Sequence, residues 1–175
     1  MILPKKYQWL QLEEAPRHLL KAVELFGTTE VVGPKHNPVI MEWARETGLK
    51  QYTNDEIPWC GLYMAVVMKR ANRDVVKDPL WARNWAKFGV EAKVPMLADV
   101  LVFSRETGGH VGLYVGEDKT SYHVLGGNQG NAVSIVRIGK DRLIASRRPP
   151  YQSQPLNVRK IKLDSTGTIV STNEA

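Results

Sequence analysis

The apolar pattern of this chain changes period once, and that change restricts the fold more than any other feature. Up to about residue 90 the apolar positions recur at helical spacing, whereas from Val100 onward they come in short runs separated by glycine-bearing turns. A helix buries a stripe and a sheet buries a face. Helices first and strands afterwards therefore predict an α+β fold, with the helices packed on one face of an antiparallel sheet.

In the first half, residues 14–26 place Leu19, Leu20, Val23 and Phe26 at helical spacing after a proline suited to a first turn, and Gly27 is the stop. GTTEVVGPKHNP reads as a loop, and NPVIMEWARETG reads as a second helix ended by Gly48. Pro58 opens a third helix running to Asn72, with Leu62, Ala65, Val66 and the stem of Lys69 on its buried face. Residues 79–89 predict one more short helical stretch. The strands expected are Val100–Phe103, Val111–Val115, Tyr122–Leu125, Val133–Ile138 and Leu143–Ser146. From Tyr151 the chain turns polar and reads as a loose extension with at most one strand near Val158–Leu163. At 175 residues the chain fits one core. The expected organisation is a single domain over residues 1–150, helical over residues 1–90 and sheet-forming over residues 95–148, followed by an extension over residues 151–175.

Composition removes several functional classes. No apolar run approaches the roughly 20 residues that a membrane-spanning helix needs, and the N-terminal MILPKKYQWLQLEEAPRH lacks a secretory pattern. The expectation is a soluble protein made in the cytoplasm without a signal peptide. With one cysteine, neither an intramolecular disulfide nor a cysteine-based zinc cluster can form. The formal charge of +6 and pI near 9.5 predict attraction to polyanions. The basic residues are spread along the chain without a zinc-finger, RNA-binding or helix-turn-helix pattern, which argues against nucleic acid as the partner. No HExxH or clustered ligand spacing points to a metal, and no pair of carboxylates stands out for glycoside chemistry.

Cys60, in IPWCG, falls at or near a helix N-terminus, where unpaired N–H groups and the helix dipole favour a thiolate and can also hold an oxyanion. A lone cysteine is more often a packing residue, but this one follows directly on a polar loop and a proline. Of the four histidines, His110 in GGHVGLYVG suits a base best, because it opens a strand after two glycines that allow close approach. His18 lies in an amphipathic helix and reads as surface, while His36 reads as either a loop residue or a member of a substrate rim. A third group must orient the imidazole. Asn128 in LGGNQGN and His123 in SYHVLGG are the candidates, their ordinary readings being a turn residue and a strand residue. Asp99 reads as a turn or capping group.

Taken in order, WCG before a helix, ADVLVF, GGHVGLYVGE and LGGNQGNAVSIVRI resemble the papain-like cell-wall hydrolases of the NlpC-type and CHAP (cysteine, histidine-dependent amidohydrolase/peptidase) superfamily, in particular the small phage-associated branch. The likeness covers about residues 52–148. It implies a papain-like NlpC/CHAP fold with N-terminal helices on a five- to six-stranded antiparallel sheet. It also implies a cysteine–histidine pair, no metal or cofactor, and cleavage of amide bonds in the stem peptides of bacterial peptidoglycan, endolysin-like, after release or delivery by another factor. Cys60 matches the nucleophile and His110 the base. Asn128 matches the third member in this branch, whereas the NlpC-type pattern points to His123. Trp59, Tyr52 and the Glu30–Asn37 loop are candidates for the lining of a cleft, and read first as packing or rim residues. The rival readings are a non-catalytic wall-binding or phage structural module of the same fold, and a thioester-forming acyltransferase.

Overall fold

The computed structural model describes residues 2–33 and 35–172. A 3-10 segment, Lys5–Leu12, leads into helices α1 (Arg17–Glu24), α2 (Pro38–Thr47) and α3 (Cys60–Arg70), then a second 3-10 segment, Ala82–Lys87. The strands follow as β1 (Val90–Glu91), β2 (Val100–Arg105), β3 (Gly108–Glu117), β4 (Ser121–Gly126), β5 (Ser134–Gly139) and β6 (Leu143–Arg148). They form one six-stranded sheet in the order β1-β6-β2-β3-β4-β5, and every neighbouring pair is antiparallel. The α+β class read from the change of period is the class of this fold. All five expected strands are present. The sixth is β1, too short to carry an alternating pattern, and it pairs with β6 at the sheet edge.

Helix α3 is the centre of the molecule. Its first nine residues, CGLYMAVVM, contain no charged side chain, and every one of them is buried. Leu62, Ala65 and Val66 do not form one buried stripe but belong to a helix enclosed on all sides, by α1, α2 and the sheet. A helix without a polar face has no other place to go. Helix α2 covers it as a surface helix with both ends fixed by its sequence. Asn37 Oδ1 accepts the Val39 N–H at 2.8 Å, and Gly48 closes the far end at φ 75°.

Two expectations need correction here. His18 is fully buried rather than on the surface, and its Nε2–H donates to the Ala98 carbonyl at 2.8 Å. Helix α1 presses its N-terminal turn against the residues leading into β2, so a polar side chain there is accepted for its single hydrogen bond. The segment after Pro150 is held rather than loose, although residues 173–175 of it lie outside the described residues. Glu117 donates its N–H to Ile161 and accepts from Leu163, both at 2.9 Å, while Arg137 does the same with Ile169 and Ser171 at 3.0 and 2.9 Å. The Glu117 carboxylate also gathers Lys140, Lys160 and Lys162 at 3.2, 3.1 and 2.8 Å.

Burial lowers the His18 pKa from its usual value to about 4. The unfolded chain binds a proton there below about pH 6.5 and the folded chain does not, so stability is lost as pH falls from about 6.5 towards 4. Urea unfolding across that window is expected to show a loss of up to roughly 3 kcal/mol from this residue. His18→Gln, which keeps a donor for Ala98 but cannot titrate, should flatten the dependence. An unchanged slope in the variant would contradict the assignment.

Candidate active site

The candidate site lies where the sheet is incomplete. Tyr114 gives its N–H to Asp99 of the chain entering β2 at 2.8 Å, and donor direction alternates along a strand, so before the register shift at Tyr114 the odd-numbered residues of β3 direct their N–H groups towards β4. Pairing of β3 with β4 starts only at Leu113. The N–H of Val111 thus emerges into an unpaired stretch, near enough to the sulfur of Cys60 to lower its pKa.

Cys60 is the first residue of α3 and only 4% exposed. The N–H groups of Cys60 and Gly61, which have no acceptor within the helix, act on the thiol in the same sense. The expectation of a lowered thiol pKa nevertheless fails. Burial raises it, and the Val111 and Gly61 N–H groups and the nearby charge of Arg105 offset only some of that rise. At rest the group is a neutral thiol, so any nucleophilic chemistry needs a base to remove its proton.

His110 is the residue before Val111 and is 1% exposed. Its Nε2 lies 2.9 Å from Oε1 of Gln129. The orientation of that amide is set by its other end, since Gln129 Nε2 donates to the carbonyls of Ser134 and Val124 at 2.6 and 3.2 Å. The glutamine oxygen therefore faces the imidazole as an acceptor and His110 carries a proton on Nε2, which leaves Nδ1 as the lone-pair nitrogen whenever the ring is neutral. A side chain on Gly126 would come within 3.2 Å of His110 Nε2 and 2.8 Å of Gln129 Oε1, so this contact requires glycine there.

Gln129, not Asn128, makes the orienting bond. Asn128 occupies a left-handed turn position at φ 55°, and its buried Oδ1 has no partner among the described residues. The LGGNQG element does return to the histidine, but the turn at Asn128 hands that task to the next side chain. His123 is fully buried and uses both ring nitrogens elsewhere, with Nδ1 2.6 Å from Tyr7 Oη and Nε2 3.0 Å from Asp118. It belongs to a structural network that Arg137 completes through Asp118 at 2.6 Å. Asp99 accepts the Met96 N–H and pairs with Arg148, the turn role expected with an ion pair added.

The segment before Cys60 is clamped. Buried Asp55 accepts from His36 Nδ1 at 2.9 Å and from the backbone N–H groups of Val31 and Asn37 at 3.1 and 2.7 Å. Trp59 is fully buried, and its indole N–H donates to Glu30 at 3.1 Å. Trp59 and Tyr52 are packing residues, and His36 holds the loop.

Cys60 opens onto a pocket of about 410 Å³ whose walls include Ile57, Leu80, Trp81, Arg105 and Thr107. Trp81 is 74% exposed at its rim. Gly61 permits the wall formed by residues 79–81, because a Cβ at this position would collide with the Pro79 carbonyl oxygen. No family model, curated protein or solved structure matches the chain. Its own geometry is therefore what speaks for the site. Sequence reasoning singled out Cys60 and His110 but neither Gln129, which directly follows Asn128 in the LGGNQG element and bonds the His110 ring, nor Arg105, which lines the pocket and carries no signal beyond its place at a strand end.

Gln129→Ala is expected to remove the Nε2–H tautomer as the dominant form of His110, read from the ring nitrogen shifts in a long-range 1H–15N spectrum, and to cost roughly 1–3 kcal/mol through unpaired buried groups. Asn128→Ala should leave the His110 ring shifts unchanged. The opposite pattern would restore Asn128 as the orienting group.

Proposed function

We propose that this chain is a papain-like cysteine peptidase or amidase that cleaves an amide bond in the stem peptides of bacterial peptidoglycan. The observation that carries the chemistry is the setting of two residues at one gap in the sheet. Cys60 starts a helix close enough to the N–H of Val111 for that group to lower its thiol pKa, and the residue before Val111 is a histidine whose Nε2 is fixed by Gln129. The assignment of peptidoglycan as substrate rests on the resemblance of WCG, GGHVGLYVGE and LGGNQG to the NlpC-type and CHAP hydrolases, and the net charge of +6 suits an anionic wall.

In the proposed reaction His110 takes the Cys60 proton as the sulfur attacks the amide carbonyl. N–H groups of the first turn of α3 stabilise the oxyanion. The imidazolium then protonates the departing amine as the carbon–nitrogen bond breaks, leaving a thioester on Cys60. Water, losing its proton to His110, attacks that thioester and releases the carboxylate and the thiol. The raised thiol pKa fits a sequence in which proton transfer accompanies attack instead of a stored thiolate.

The burial of Cys60 favours a second reading, a non-catalytic wall-binding module of the same fold. Mass spectrometry of soluble fragments from purified peptidoglycan separates the two. With the wild type, new amine termini in stem peptides are expected, and with Cys60→Ala the yield should fall at least about 100-fold. Wall binding by both proteins without fragments from either would establish the module instead.

A further inference from the structure

The pocket beside Cys60 contains one cation and nothing to neutralise it. Arg105 ends β2, its Cα opposite Gly108, and is half-buried in the pocket wall. Among the described residues that line this pocket there is no aspartate or glutamate and no other charged side chain. The other buried and half-buried arginines have hydrogen-bond partners, Arg73 and Arg147 in backbone carbonyls and the rest as follows. Arg70 pairs with Glu46, Arg137 with Asp118 and Arg148 with Asp99, each within 2.7 Å. Neighbouring Arg83 spends its Nε–H on the Gly108 carbonyl at 2.8 Å, and Arg142 is bound to Ser104 across the strand. Arg105 has no such partner among the described residues. A guanidinium held partly out of water presents five donors in a planar fork matched to a carboxylate, and an open pocket is the one place from which that carboxylate can arrive.

We propose that Arg105 binds a free carboxylate of the substrate beside the scissile amide, with the hydroxyl of Thr107 on the same wall as a further donor. The site thereby selects peptides that carry an acidic group next to the bond cut and rejects their amidated counterparts. This rests on the reading of Cys60 as a nucleophile. It adds that the charge of the substrate is read inside the catalytic pocket, within electrostatic reach of the sulfur.

Two small reagents test it without any wall substrate. Iodoacetate and iodoacetamide each place a carbon on the Cys60 sulfur with loss of iodide, and they differ in having a carboxylate or a neutral amide at the other end. The rate ratio of iodoacetate to iodoacetamide at one pH and ionic strength is expected to fall at least fivefold from wild type to Arg105→Gln. Arg105→Lys, which keeps the charge but not the fork, should be intermediate, and it also guards against a fold defect in the neutral variant. Equal slowing of both reagents in Arg105→Gln would overturn carboxylate recognition, because it would leave the cation acting on the thiol alone. Failure of the folded wild type to react with either reagent would overturn the nucleophile reading, and this proposal with it.

Discussion

Burial of α3 against the sheet is the constraint on which the remainder of the molecule depends. Fully burying a large apolar side chain contributes roughly 1.5–3 kcal/mol relative to leaving it exposed. The Leu62–Met68 stretch of α3 supplies a run of such groups with no charged residue among them. That run forces the helix into the centre, where α1 and α2 must cover it on one side and the sheet on the other. The position of Cys60 follows. The first residue of an enclosed helix has to end somewhere, and here it ends at the stretch of β3 that β4 has not yet paired.

The same burial sets the electrostatic problem of the site. Enclosing a thiol disfavours its charged form, and the helix N-terminus does not reverse this. The N–H groups of Val111 and Gly61 and the charge of Arg105 all pull the other way, yet the thiol pKa remains above its ordinary value. For the proposed reaction a neutral sulfur and a histidine oriented by Gln129 are consistent, since the ring is set before any charge develops. Gln129 suits that task because its amide nitrogen is occupied by two backbone carbonyls and cannot exchange places with the oxygen. A carboxylate in its place would stabilise an imidazolium, whereas the amide holds a neutral ring in position.

The fold class was legible because its signals are periodic. Val100–Phe103 and Val111–Val115 alternate or run apolar between glycine turns, and each became a strand. Helix α2 carried its own start and stop in Asn37-Pro38 and Gly48. What escaped the sequence lacks periodicity or depends on distant partners. Two-residue β1 is defined only by Arg147 and Arg148 opposite it. His18 looks like a surface residue until the Ala98 carbonyl supplies its partner. Within the site, Cys60 and His110 were readable from their local context, a helix start and a strand start. The choice between Asn128 and Gln129 was not, because it turns on whether the left-handed residue of the bend falls at one position or the next. The segment after Tyr151 looks loose by composition, but its backbone hydrogen bonds with Glu117 and Arg137 need no apolar side chains.

The most direct test of the account is the pH dependence of Cys60 alkylation by iodoacetamide in the wild type and in His110→Ala. If His110 accepts the thiol proton, the wild type keeps a measurable rate at pH 6–7, well below the ordinary thiol pKa of about 8.5. The variant should then react at least about tenfold more slowly there and recover only at alkaline pH. Superimposable profiles for the two proteins would contradict the account, because the sulfur would then titrate without reference to the histidine.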